Sequence, residues 1–351
     1  MEKEMISIIT VTHMFSHGEN QNKAEFRLPE LKSSMRYWWR ACNGFSDIKE
    51  MKERENILFG STSQISPISL KYKEEQKYKT VQNNNCNNKD ITGSSISIGQ
   101  KISFELKAKK IDEKKETRDI KFYKDLLQLS SILGGLGKYA RKGQGVFYIE
   151  NKEENISSSV QLIKKIRELI ENIMEKNVNF KLIEKKESNT FENSRLEFSY
   201  KSKKWPQNYP YIEKIIVGNP IKMRQYINRI NKTLSLRQRK DMEYNFNVEG
   251  YGKNKKYQRY ACPVYITCYP CFHKESNQEQ EVFPIIVLLK NTTLTNKKIE
   301  KYYENYFRNR KGNEKKDDII TKKEEGERVK DLYENFKNIC IDCMIFGKCD
   351  K

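Results

Sequence analysis

Lys32, Arg36 and Arg40 follow one another at intervals of four residues, a spacing that places all three cations on one helix face. Arg27 lies just upstream. Such a row can hold successive phosphates through charge-assisted, often bidentate contacts; the alternative is a basic helix face turned to water. A second cluster lies in LGGLGKYARKGQGVF, where Gly134, Gly135, Gly137, Gly143 and Gly145 surround Lys138, Arg141 and Lys142. Small residues let backbone N–H groups approach an anion, and they serve equally in a tight connection that needs positive φ. The three cations in the loop favour contact with RNA. Gly135-x-Gly137-x-x-Ala140 matches a dinucleotide fingerprint in letters, but that fingerprint requires a preceding strand and a following helix. Here a helix precedes and a strand follows.

Two further sets of residues could carry chemistry. His13 and His17 could act in general acid–base cleavage of RNA, which would want a neighbouring lysine or tyrosine; no such context is evident beside them. Cys262, Cys268 and Cys271, followed by His273, and Cys340, Cys343 and Cys349 form two cysteine groups. The pairs Cys268-x-x-Cys271 and Cys340-x-x-Cys343 have the spacing of a four-thiolate zinc site. Their wide separation and the strand pattern at 262–268 favour ordinary buried thiols, and no metal or other cofactor is expected.

The elements that must position these residues can be read from periodicity. Ile6 to Phe15 reads as a strand. Leu31, Met35, Trp38, Trp39 and Cys42 recur at helical spacing behind Pro29, which suits a helix start. Trp38 and Trp39 could stack bases, although adjacent residues face different ways and at least one should enter the core. Ile65 to Tyr72 alternates as a strand, and the asparagine-rich residues 73–95 read as a loop. Ile102, Phe104, Leu106 and Ala108 share one strand face. Phe122, Leu126, Leu129 and Leu133 mark a second helix, and Val146 to Glu150 a further strand. The order strand, helix, strand, strand, helix, strand is that of the ferredoxin-like split βαβ unit.

Beyond a charged linker, Asn151 to Asn155, a helix is expected over Val160–Lys176 and strands at Leu196–Tyr200 and Lys214–Val217. Another helix opens at Pro220, a basic, tyrosine-rich stretch covers Arg237 to Tyr260, and strands follow at Pro263–Cys268 and Val282–Leu289. Lys297 to Lys330 is nearly all charge and reads as solvated. The expected architecture is α+β: two ferredoxin-like (RRM-like) domains with loop insertions, 1–150 and 151–351, the second ending in a charged, cysteine-rich tail.

Composition agrees with a polyanion partner. The 351 residues carry 67 Lys and Arg against 47 Asp and Glu, a formal charge of +20, which suits nucleic acid. Part of that excess follows the abundance of Lys, Asn and Ile across the whole chain. The start lacks the apolar run and cleavage site of a signal peptide, and no stretch approaches a membrane span. A soluble, cytoplasmic protein follows, with its cysteines as thiols or metal ligands rather than disulfides.

Three motifs carry a family resemblance. EFRLPELKSSMRYWWRA (residues 25–41), ENILFGS (55–61) and the glycine-rich loop resemble, in order, the signature of the repeat-associated mysterious protein (RAMP) superfamily. Within it they are most similar to the family of the first-named Cmr subunit of type III-B CRISPR effectors. Arg259-Tyr260-Ala261-Cys262-Pro263 is similar to a later strand entry of that family, with Cys262 in place of serine. The resemblance implies a non-catalytic subunit that helps to hold the crRNA 3′ region and target RNA in antiviral defence. Its partners would be other RAMP subunits, one of which would cut the target. The alternative is a stand-alone RAMP endoribonuclease that processes repeat RNA, and a third reading is an assembly subunit whose cations meet only protein.

Overall fold

Ile6, Ile8 and Thr10 alternate with more exposed neighbours and turn inward from β1 (Glu2–Thr10), as a half-buried strand requires. The computed structural model describes residues 1–45, 47–83, 93–113, 116–150, 155–175, 180–186, 194–200, 210–237, 264–272, 280–290, 337–338 and 340–346. After β1 come α1 (Leu28–Asn43), α2 (Ile48–Phe59), β2 (Ile68–Lys71), β3 (Thr80–Asn83) and β4 (Gly93–Ile96). Next are β5 (Lys101–Ala108), β6 (Ile111–Glu113), β7 (Glu116–Arg118), α3 (Ile120–Leu133) and β8 (Phe147–Ile149). The first sheet is antiparallel in the order β2-β5-β1-β8, the strand order of the split βαβ unit. Ile102, Phe104, Leu106 and Ala108 of β5 are all buried, on the one face their alternation predicts.

The first half departs from the sequence reading at several points: β1 ends at Thr10 rather than Phe15, and β6 and β7 form a hairpin the reading lacks. Within the expected 73–95 loop, β3 and β4 pair as a hairpin, and residues 84–92 lie outside the described residues. A second helix, α2, follows α1, its Asp47 side chain capping the Lys49 amide. Its buried set, Met51, Glu55, Leu58 and Phe59, includes a carboxylate and leaves a weak apolar period.

The second half contains α4 (Ser159–Ile173), β9 (Phe180–Lys186), β10 (Ser194–Tyr200), β11 (Tyr211–Val217), β12 (Ile221–Lys222), α5 (Met223–Arg237), β13 (Val264–Pro270) and β14 (Glu281–Lys290). A capping box between Ser158 and Gln161 starts α4, satisfying otherwise orphaned amides. The sheet runs β13-β14-β11-β10-β9, with β12 on the end of β14. The run β11-α5-β13-β14 repeats the order of β1-α1-β2-β5. In the first sheet the remaining position beside β1 is filled by β8, which comes last; beside β11 it is filled by β10, which comes before.

Both faces of the second sheet are covered. Ile212, Tyr265, Phe283, Ile285 and Val287 share one core with α1, α3 and α4. Ile216, Ile266, Ile286 and Leu288 pack with Tyr226 and Ile230 of α5 and with Cys340, Met344 and Ile345. The unbroken apolar run of β14 follows from burial on both sides. Residues 340–344 are helical, and Arg229 of α5 donates to the Met344 carbonyl at 2.7 Å.

Cys42, Cys268, Cys271 and Cys340 are buried thiols, and burial pushes the Cys268 thiol up to about 12. Cys343 departs from the expectation of thiols or metal ligands, being disulfide-bonded. Cys262, His273 and Cys349 lie outside the described residues, as do residues 151–154 of the expected Asn151–Asn155 linker, residues 238–260 of the basic stretch and the 297–330 charge run. Among the described residues no cluster of three or more His, Cys, Asp or Glu could hold a metal, and no helix is long and apolar enough to cross a membrane.

Candidate nucleic-acid interface

The glycine loop leaves α3 at Leu133 and returns to the first sheet at Phe147. Its glycines are required by close packing. A side chain at Gly134 would meet the Trp38 indole, and one at Gly143 would meet Ile230 and Tyr226. Gly135 lies against the backbone of Gln144 and Gly145. Gly137 (φ 93°) and Gly145 (φ 68°) combine left-handed backbone with contact against the Phe15 and Leu136 carbonyls, a combination only glycine adopts without strain.

Several loop amides already donate within the chain. Gly137 N–H reaches Glu30 Oε1 at 2.6 Å. Leu136, Lys138 and Gly145 donate to the carbonyls of Gly145, Phe15 and His13 at 2.9, 3.0 and 2.8 Å. These four amides therefore hold the loop to itself, to residues 13–16 and to the start of α1. An anion at this surface would be met chiefly by side chains.

The cations stand on the rim. Lys138 is exposed, with its ammonium 5.2 Å from the Tyr139 ring centre, and Lys142 approaches the same ring at 5.7 Å. Arg141 lies 4.9 Å over the ring of Tyr265, and its carbonyl accepts the Ile266 amide at 3.2 Å, which fastens the loop to β13. Arg27, its side chain 45% exposed, donates to the His17 carbonyl at 3.2 Å and lies 3.7 Å from Glu25. Residues 13–17 thus join Arg27 and the glycine loop around the N-terminal end of α1.

Lys32, Arg36 and Arg40 have internal partners. Arg36 donates to the Phe59 and Gly60 carbonyls at 3.0 and 2.7 Å, closing the end of α2 as a C-terminal cation does. Glu55 receives Arg40 at 2.7 Å and lies 3.8 Å from Arg36. Lys32 donates to Ser66 Oγ at 2.6 Å; its own burial, then neighbouring Arg36, lowers its pKa. The stripe therefore ties α1 to α2 and to the approach to β2. The two arginine side chains remain 33% and 30% exposed.

Trp38 and Trp39 are both core residues. On the other face of the first sheet, opposite Ile6 and Ile8, stand Lys3, Met5, Ser7 and Ile9 of β1 and Lys101, Ser103, Glu105 and Lys107 of β5, with Glu105 buried and paired with Lys73 and Lys107. Among the described residues Tyr148 is the aromatic there, and it packs on Phe272 with ring centres 5.5 Å apart. Among the described residues this face presents no row of exposed aromatics like the platform on which an RRM stacks bases. His13 Nδ1 is 3.3 Å from Ser95 Oγ, and burial lowers the pKa of that ring. Glu30, Tyr139 and Tyr265 were not singled out from the sequence, because what marks them is contact with residues far along the chain.

Residues 7–148 match the RAMP superfamily, a span that runs from β1 through the glycine loop into β8. The chain carries a RAMP domain. Beyond that domain-level match, the chain is 36% identical over 73 residues to the CRISPR system Cmr subunit Cmr1-1 of Pyrococcus furiosus, over 20% of this chain and 21% of that protein. The matched segment thus spans about a fifth of that relative. Among solved structures, apo Cmr1 from Pyrococcus furiosus aligns with 83% of this chain and 89% of its own, at 17% identity and a TM-score of 0.45. A chain of the type III-B Cmr-beta complex bound to cognate target RNA aligns with 82% of this chain and 94% of its own, at 12% identity and a TM-score of 0.38. In the RAMP domain of the present chain, the glycine loop and the N-terminal end of α1 form the basic surface described above.

Proposed function

We propose that this protein is a non-catalytic RNA-binding subunit of a type III-B (Cmr) CRISPR effector complex. It helps to hold the crRNA 3′ region and target RNA in antiviral defence, beside other RAMP subunits. The observation that carries the reading is that Glu30 and residues 13–17 tie the glycine loop, which bears Lys138, Arg141 and Lys142, to the start of α1 beside Arg27 in a RAMP domain. The local likeness to Cmr1-1 and the +20 charge support it. Contact is made to the sugar–phosphate backbone, because a guide-binding subunit must accept any spacer sequence and backbone contacts carry no sequence information. Gly134, Gly135, Gly137, Gly143 and Gly145 shape the loop. Lys32, Arg36 and Arg40 contribute positive field from a position fixed by Glu55, Phe59, Gly60 and Ser66.

Affinity purification of the full chain from its native cell, followed by RNA sequencing and mass spectrometry, tests the reading. Co-purifying crRNA and sibling RAMP subunits are the expected result. Site-specific cutting of naked repeat RNA by the purified chain, lost in His13→Ala or His17→Ala, would overturn it in favour of a processing endoribonuclease.

A further inference from the structure

Glu30 is an acid at the centre of a surface read as binding a polyanion. It occupies the first turn of α1, where a carboxylate suits the helix dipole. Its two oxygens are engaged separately: Oε1 accepts the Gly137 amide at 2.6 Å, and Oε2 accepts the Ser16 hydroxyl at 2.5 Å. Gly137 immediately precedes Lys138, whose own amide is held by Phe15. One carboxylate therefore joins three separate stretches of chain: the start of α1, residues 15–16 and the glycine loop.

We infer that Glu30 is a positioning residue, whose carboxylate fixes the loop so that Lys138 and Arg141 face RNA. The inference rests on the RNA-binding reading above and adds a residue with the sign of charge opposite to the ligand-binding ones. Electrostatics alone gives a clear contrary expectation. A negative charge beside a phosphate surface repels the ligand, so its removal would tighten binding. Positioning requires that removing the side chain weaken binding, although repulsion is relieved.

The experiment measures binding of the full chain to two labelled single-stranded RNAs of unrelated sequence by fluorescence anisotropy, over a series of salt concentrations. Glu30→Ala is expected to bind both RNAs about tenfold more weakly, the scale of removing charge-assisted hydrogen bonds. Its log-affinity against log-salt slope should be shallower, because fewer phosphates are met. Glu30→Gln should restore binding to within about twofold, since an amide can still accept from Gly137 and can donate to Ser16 Oγ. Equal or tighter binding by folded Glu30→Ala would overturn the inference. Should Glu30→Ala fail to fold, Ser16→Ala decides: weaker binding supports the inference, and wild-type binding overturns it. Lys138→Glu and Arg141→Glu are run alongside. If they bind like the wild type, the RNA-binding surface itself is misplaced, whatever Glu30 does.

Discussion

The Arg141 guanidinium lies 4.9 Å over the ring of Tyr265, joining the glycine loop of the first half to β13 of the second. Partly shielded stacking of this kind contributes about 0.5–2 kcal/mol and keeps the guanidinium beside the loop. Tyr265→Leu preserves apolar bulk and Arg141 keeps its charge, yet RNA affinity should fall. A double-mutant cycle with Arg141→Ala, read by RNA binding, should show positive coupling between the two. Strict additivity would mean that the stacking has no part in binding.

The pairing of Arg36 and Arg40 with Glu55 leads to a separation of effects. Glu55→Ala leaves two half-buried guanidinium groups without their carboxylate and should destabilise the fold by about 1–3 kcal/mol. Arg36→Glu with Arg40→Glu should lower the thermal midpoint by several degrees, about 2–8 °C per kcal/mol depending on the size of the cooperative unit. Lys138→Glu should leave the midpoint nearly unchanged and weaken RNA binding. Thermal melts and anisotropy on the same samples check the contrast. A destabilised Lys138→Glu beside a stable Arg36/Arg40 reversal would refute it.

Tyr139 carries two ammonium groups near one ring. Tyr139→Phe keeps the ring face and should bind RNA like the wild type. Tyr139→Leu releases both lysines and should weaken binding. Every phosphate that the released lysines no longer neutralise should flatten the salt slope by about 0.7, which a titration from low to moderate salt resolves.

His13 supplies a pH test. Burial holds its folded-state pKa below the ordinary value of 6.5, so the unfolded chain takes up a proton at higher pH than the folded one. The neutral ring's contribution to stability is complete above pH 6.5 and is lost as pH falls through the lower folded value. Wild-type protein should lose melting temperature more steeply than His13→Asn as pH falls from 7 toward 5. Parallel melting curves for the two would remove His13 from the account.

How far the sequence discloses this molecule depends on where the deciding contact lies. The inward side of α1 is legible because Leu31, Met35 and Trp38 repeat within one helix and Pro29 marks its start. The role of Lys32, Arg36 and Arg40 is not, because their partners arrive from α2 and its exit. That helix has a weak period, since one of its buried residues is Glu55. The glycine loop announces a special backbone, but Trp38, Phe15 and Glu30, which require it, stand about 100 or more positions away in sequence. The order of the second sheet is hidden for a related reason: the sequence marks strands within β10 and β11 but does not say which neighbour each will take.

The layer formed by α1, α3 and α4 shares its core with both sheets, and this binds the fates of the two halves. A chain cut after Glu150 would leave the inner faces of α1 and α3 without α4, β11, β13 and β14, and Trp38 without Tyr265. Such a fragment would bare a broad oily surface and should clump rather than remain dispersed. The halves should melt in one transition, so damage to the second sheet would be felt at the basic rim of the first.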